Sequence, residues 1–265
     1  MNIPPEKVFT DPSSIADAYN KNVSTEFREG ATYADTADLP LLNAFFDHLP
    51  QGARVLDVGV GPAASFSLTA AERGFNVSMQ DGSPQVLESA VNSFAVADLP
   101  LADARVGVLP EIPFGDGAFD AAMCIHVLHH LESRDVDASV QGMSRVLGAS
   151  GYLAIIMLTS PDSETHQEPY EIGDGEFVQR NFHPKEQLHT AFAEAGLEVV
   201  GEESVMDPED TKEVPMPVST FILRKSSPSE ENTHAPWDAF THPDTLLENV
   251  EYDTGRDEAE LASPF

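Results

Sequence analysis

Lysine and cysteine are nearly missing from this sequence. Among 265 residues, 14 are Lys or Arg against 45 Asp or Glu, a formal net charge of −31. The only lysines are Lys7, Lys21, Lys185, Lys212 and Lys225. A surface this acidic repels phosphate backbones over about a Debye length, which argues against nucleic acid as substrate or partner. It suits a protein kept soluble in a saline cytoplasm. The single cysteine, Cys124, rules out an internal disulfide. It lies in an apolar run with no cation beside it, the setting of a buried structural thiol and not of a nucleophile. A run of about 18 apolar residues is also missing, so no membrane span is expected. The N-terminus, MNIPPEKVFTDPSS, lacks the basic-then-apolar order of a signal peptide. No internal repeat is visible. These absences leave a cytoplasmic enzyme as the expectation.

What is present is an alternation of strand and helix patterns. Residues 1–38 are polar with spaced aromatics and read as an N-terminal cover, with a helix over Ile15–Phe27 capped by Ser13 or Ser14. Leu39–Leu49 has helical spacing and leads into the core. From there the pattern predicts strands at Arg54–Val58, Phe75–Gln80, Ala104–Val108, Phe119–His126 and Gly151–Leu158. Helices are expected up to about Arg73, over Pro84–Ala95 with Ser83 as cap, and over Val136–Leu147. Residues 160–183 show no clear period and read as an irregular excursion. A helix over His183–Ala195 closes at Gly196. Leu197–Val205 and Val218–Arg224 are adjacent strands with no helical pattern between them, which implies an antiparallel hairpin. The fold class is therefore α/β: a doubly wound, mostly parallel seven-stranded sheet with a C-terminal antiparallel hairpin and an N-terminal helical cover. The main domain spans 39–225. Residues 226–265, acidic and rich in proline, form a tail that is disordered or loosely docked through Trp237 and Phe240.

The chemistry concentrates in VLDVGVGPAAS, Val55–Ser65. Gly59 and Gly61 stand where a buried strand must turn sharply into a helix, and their missing side chains admit a ligand to the backbone. Pro62 fits the first helical turn. Gly59-x-Gly61-x-x-Ala64 also satisfies the dinucleotide fingerprint, so the glycines alone do not choose a cofactor. Asp57 opposes a pyrophosphate and suits an ammonium group; its bland alternative is a turn cap. Asp81, 22 residues beyond Gly59, ends the second strand, where a carboxylate can accept both hydroxyls of a ribose.

The segments VLDVGVGP, QDGSP and LPEIPFGDGAFDAAMCIHVLHHL, in that order, resemble the class I S-adenosylmethionine-dependent methyltransferase family, in its small-molecule-type subset. The resemblance runs from about Leu39 to Lys225. It implies S-adenosylmethionine as cofactor and transfer of its methyl group to a small-molecule acceptor by in-line displacement. It implies that Asp57, Gly59 and Gly61 hold the methionine part and Asp81 the ribose. The family usually carries an Asp for the adenine amino group at the position of Val108. That departure leaves the backbone of Val108 and Leu109 to meet the ring. Ile125 and His126, ending the fourth strand, come beside the transferred methyl.

If the acceptor must lose a proton, His126 is the best-placed general base, with a pocket-shaping role as its alternative. His129 and His130 are expected in the next turn, one packed and one solvated. Tyr19 and Tyr33 can shield a sulfonium by cation–π contact or simply pack, Tyr19 on the cofactor and Tyr33 towards the acceptor. Arg180 and His183 are candidates for the acceptor wall. Arg180 can recognise a carboxylate there or pair with a neighbouring acid. No residue pair has metal-site spacing, so no metal is expected. The rival readings are an NAD-dependent oxidoreductase, a non-catalytic S-adenosylmethionine-binding module, and a methyltransferase acting on tRNA or protein.

Overall fold

A computed structural model describes residues 7–22, 38–173, 175–206 and 216–226. The chain opens with strand β1 (Val8–Phe9) and helix α1 (Pro12–Asn22), then helix α2 (Asp38–Asp47). The winding that follows is β2 (Arg54–Val58), α3 (Ser65–Glu72), β3 (Asn76–Asp81), α4 (Pro84–Val96), β4 (Asp103–Val106) and β5 (Phe119–Ile125). A 3-10 turn over Leu128–His130 leads to α5 (Ser133–Val146) and β6 (Leu147–Leu158). The last elements are β7 (His166–Gly173), β8 (Glu176–Phe182), α6 (Lys185–Glu194), β9 (Leu197–Val205) and β10 (Val218–Lys225).

Seven strands form one sheet in the order β4-β3-β2-β5-β6-β10-β9. The pairs from β4 through to β6 are parallel, and β10 is antiparallel to both β6 and β9. Val218 opposes Val205, as the missing helical pattern between those segments predicts. Helices cover both faces, which is why β2, β5 and β6 read as nearly continuous apolar runs. Alternate side chains feed two cores. Val55, Val77 and Ile156 pack with Phe45, Phe46 and Phe94 on one face. Leu56, Leu153 and Phe221 pack with Met143 and Phe192 on the other. Cys124 is fully buried in the second, and burial pushes its thiol pKa up, as expected for a structural residue. After β2 the chain winds towards β4, and after β5 it winds the other way. The carboxyl ends of β2 and β5 thus flank the switch point where open α/β sheets bind ligands.

Three local expectations are corrected. Helix α1 starts at Pro12, with Asp11 as its cap: the Ser14 N–H donates to Asp11 Oδ1 at 3.0 Å. An aspartate one residue before proline at the helix start satisfies the free N–H groups better than either serine. Pro62 lies in the turn, and α3 begins only at Ser65, after Ala64 at φ 52°. The largest correction concerns residues 160–183. They form the antiparallel hairpin β7–β8, with β1 pairing parallel to β8, as a second sheet of three strands. Its alternation is weak because only Ile172, Val178, Asn181 and Phe182 are buried along it. Ile172 and Val178 pack on Ile15 and Ala18 of α1. The helix cap at Ser83 holds as expected, with the Val86 N–H donating to Ser83 Oγ at 3.1 Å. Tyr33, Trp237 and Phe240 lie outside the described residues, as does the tail beyond Ser226. No described helix is long and apolar enough to cross a membrane.

Candidate active site

A cavity of about 480 Å³ opens over the carboxyl ends of β2, β3 and β5. Its floor is the turn after β2. Gly59 has φ 78° and Gly61 φ 67°, left-handed backbone that favours glycine. A Cβ on Gly59 would clash with Val127 Cγ2, whereas one on Gly61 would meet nothing within 4 Å. The first glycine therefore allows the two strand ends to close on each other, and the second keeps the cavity open. The N–H groups of Gly59 and Val60 donate to Gln80 O at 2.8 and 3.1 Å, which ties the turn to β3.

Two carboxylates stand in this floor, Asp57 buried and Asp81 half-buried. Asp57 is 2% exposed and accepts from Ser67 Oγ at 2.7 Å. Burial raises its pKa to about 7; Ser67 opposes the shift and the charge of Asp81 adds to it. Asp81 accepts from the N–H of Ser83 at 2.9 Å and of Gly61 at 3.3 Å. Burial raises it to about 6 against those backbone bonds. Two desolvated acids sharing one cavity repel, and a cationic ligand relieves both costs. Asp81 retains unused lone pairs for hydroxyl donors.

The adjoining wall is Gly107, Val108 and Leu109. Gln80 Nε2 holds it by donating to Gly107 O at 3.1 Å and Glu111 O at 2.9 Å. Sequence reasoning passed over Gln80, which lines the cavity at 1% exposure. Ile125 closes β5, and His126 follows at φ 58°, its N–H donating to Ile156 O at 2.7 Å. A histidine held in left-handed backbone is strained, and such strain clusters at functional sites. Here it turns the chain end so that the residue lines the cavity.

The opposite end is built by α1 and the hairpin. Tyr19 Oη lies 3.3 Å from His130 Nε2, with the rings edge to face. His126, His129 and His130 run in sequence, with ring centroids 6.0 and 4.5 Å apart. Both His129 and His130 are buried, so the expectation that one is solvated is corrected. The Leu128–His130 turn folds them under α1 and β8, where they line the cavity. Burial, reinforced by neighbouring histidines and Arg180, drives His129 well below its usual pKa. Burial and Arg180 bring His130 to about 3, so both rings are neutral near pH 7. Arg180 lines the same end, stacked on Tyr170 at 3.3 Å from the ring centre.

Of the candidate residues, the cavity brings together Tyr19, Asp57, Gly59, Gly61, Asp81, Val108, Leu109, Ile125, His126 and Arg180. His183 is not among its lining residues. It is fully buried, with Nε2 on Leu131 O at 2.9 Å and Nδ1 facing Ser133 Oγ at 3.4 Å. It borders a separate shallow cleft with Gln167 and Asn181, so its placement on the acceptor wall is corrected. The reason is that the hairpin returns Phe182 and His183 beneath the sheet end, pairing His183 with Thr159. Among the described residues, no three or more His, Cys, Asp or Glu are arranged to hold a metal ion.

Comparison with known proteins bears on the cofactor. Residues 56–155 match a family described as a methyltransferase domain. An uncharacterized methyltransferase of Synechocystis is 29% identical over 139 residues, 52% of this chain and 61% of that protein. The chain thus matches less than two thirds of that relative's length. A SAM-dependent methyltransferase from Methanosarcina mazei superposes with a TM-score of 0.59 at 15% identity, covering 69% of this chain and 97% of the other. The 1,6-didemethyltoxoflavin-N1-methyltransferase of Burkholderia thailandensis, solved with its substrate and S-adenosylhomocysteine, gives 0.61 at 18% identity, over 86% and 94%. The [4+2]-cyclase SpnF gives 0.63 at 19% identity, over 85% and 99%, so the fold is not confined to one reaction. The motif block, the strand order and the matched segment agree: over residues 56–155 the chain is similar to a methyltransferase-domain family, and it shares the fold of S-adenosylmethionine-dependent methyltransferases.

Proposed function

We propose that this protein transfers the methyl group of S-adenosylmethionine to a small-molecule acceptor. The observation that carries the reading is the pair of acids, buried Asp57 and half-buried Asp81, flanking the open face of Gly61 in one cavity. A cationic amino-acid group and a ribose diol are what such a pair can bind. A dinucleotide pyrophosphate would add negative charge beside Asp57, which disfavours the NAD-dependent alternative. The cofactor supplies a methyl group already activated on a sulfonium.

The residues then divide the work. Asp57 pairs with the ammonium group and Asp81 accepts the ribose hydroxyls. The backbone of Gly59 and Gly61 makes room for the methionine part. Val108 and Leu109 flank the adenine. Ile125 and Tyr19 exclude water around the sulfonium. Holding the acceptor in line at near-attack distance accounts for much of the acceleration. His126 takes a proton from an acceptor that must lose one, or shapes the pocket for one that need not. The methylated atom is O, N or C. The acidic surface, at a net charge of −31, supports a small molecule over tRNA.

The test is calorimetric titration with S-adenosylmethionine, S-adenosylhomocysteine and NAD, at low and high salt. Micromolar binding of both adenosyl ligands and none of NAD is expected. Silence from all three in folded protein overturns the reading. With an acceptor in hand, His126→Asn should lower kcat by roughly 10²–10⁴-fold if the reaction removes a proton. An unchanged kcat assigns His126 to shaping alone.

A further inference from the structure

The acceptor end of the cavity contains one cationic side chain whose hydrogen-bond donors the fold leaves unspent. Among the described residues that line the cavity, Arg180 is the only Lys or Arg, in a chain with few of either. Its guanidinium makes no hydrogen bond among the described residues, and its main-chain oxygen accepts from Gln179 Nε2 at 3.1 Å. Its Nε is closed off from solvent and has no partner. Glu168 sits directly opposite on β7, yet the nearest approach is 3.8 Å from Arg180 Nη1. That is too long for a hydrogen bond, so the carboxylate orients the arginine without occupying its donors. Tyr170 holds the guanidinium by its flat face at 3.3 Å, an arrangement that fixes the plane and leaves the edge N–H groups for an in-plane acceptor.

The surroundings are suited to an oxyanion. His129 and His130 are neutral, for the reasons given above, and so do not compete as cations. The nearby wall also includes Tyr19, Leu158 and Ile172, together with the acid Glu171. An unsatisfied arginine fork in such a wall is costly unless a ligand completes it.

We infer that the acceptor carries a carboxylate, gripped in the plane of the Arg180 guanidinium on its Tyr170 platform, with the reacting end directed towards His126. A guanidinium fork matches a carboxylate in a bidentate manner. A carboxylate is preferred to a phosphate by charge balance. Glu171 also lines this end and Glu168 stands opposite the arginine, so each further negative charge on the ligand adds repulsion. This inference rests on the proposed methyl transfer for the identity of the ligand as acceptor, but the anion site can be tested by itself.

The probes are benzoate, phenylacetate and 4-hydroxybenzoate, each compared with its primary amide. Their dissociation constants are measured by calorimetry with and without saturating S-adenosylhomocysteine. At least one acid should bind tenfold or more tightly than its amide. Arg180→Gln should erase that preference, and Arg180→Lys should retain part of it. S-adenosylhomocysteine affinity should stay within twofold in both variants, which also reports that they are folded. Equal binding of acids and amides to the wild type, including no binding of either, overturns the inference, as does a preference that survives Arg180→Gln. Failure of S-adenosylhomocysteine to bind overturns the methyltransferase reading instead. In that case the comparison without it still decides whether Arg180 is an anion site.

Discussion

The two ends of the cavity are built on different plans. The floor is made by short, contiguous stretches at strand ends, and its parts are locked together by main-chain bonds such as Gly59 N–H to Gln80 O at 2.8 Å. The cover is made by segments far apart in sequence: α1, the Leu128–His130 turn and the β7–β8 hairpin. These meet through side chains, as where Asn22 Nδ2 donates to Glu176 Oε2 at 3.1 Å and Tyr19 Oη lies 3.3 Å from His130 Nε2. β1 adds only two residue pairs to β8. On the proposed reading, the floor locked by main-chain bonds carries most of the cofactor contacts and the side-chain-held cover most of the acceptor wall. Either end can then vary without rebuilding the other.

The sharpest way to break that contrast is at the floor. Gly59→Val places a Cβ against Val127 in left-handed backbone, and steric overpacking plus the φ penalty should cost roughly 3 kcal/mol of stability. Urea denaturation checks this, and an unchanged midpoint would show a floor far softer than described. Next comes Asp81→Ala. Losing charge-assisted ribose contacts should weaken S-adenosylhomocysteine binding by roughly 1.5–3 kcal/mol. Unaltered affinity in a folded variant removes Asp81 from the site.

The pH dependence of the floor is smaller. Asp57, with a pKa of about 7, is largely protonated at pH 6 and ionised at pH 8. An ammonium ligand selects the ionised form, so affinity should rise by about tenfold over that interval, with proton release on binding. Calorimetry in buffers of different ionisation enthalpy measures the released protons, and Asp57→Asn should abolish them. The same shift has a second sign. The folded ligand-free protein retains a proton that the unfolded chain loses above its usual carboxylate pKa of 3.8, so this group's contribution to stability falls as pH rises from 4 to 7.

The smallest effect belongs to the cover. Asn22 Nδ2 donates to Ala18 O at 2.9 Å and to Glu176 Oε2 at 3.1 Å, joining α1 to β8. Asn22→Ala should cost about 1 kcal/mol locally. Hydrogen exchange should quicken along α1 while S-adenosylhomocysteine affinity moves by less than twofold. A large loss of cofactor binding would mean that the two ends are not separable.

The same division explains what was legible in the sequence. Asp57, Gly59, Gly61 and Asp81 announce themselves because each occupies a strand end or a turn whose geometry only a few residue types satisfy. The terminal hairpin was legible because two strand patterns adjoin with no helix between them. The hairpin at 166–182 was not, because one of its faces is open to solvent and Tyr170 is 41% exposed. Its alternation therefore carries little hydrophobic signal. His183 resembled a site residue because it neighbours Arg180 in sequence. Strand geometry and the chain's return to Thr159 carry it elsewhere, which no local pattern encodes. The burial of both His129 and His130 depends on α1 and β8 packing over them, contacts more than 40 residues distant in the chain.

The missing side chain of Gly59 has a consequence for how this sequence can change over time. The volume a Cβ would take there is already filled by Val127, the residue directly after His126. Positions 59 and 127 therefore share one space although 68 residues separate them. A bulkier residue at 59 displaces Val127 and, through the main chain, the strained histidine beside it. A smaller one at 127 opens a void beneath the turn. Divergent descendants of this chain should inherit the two positions as a unit.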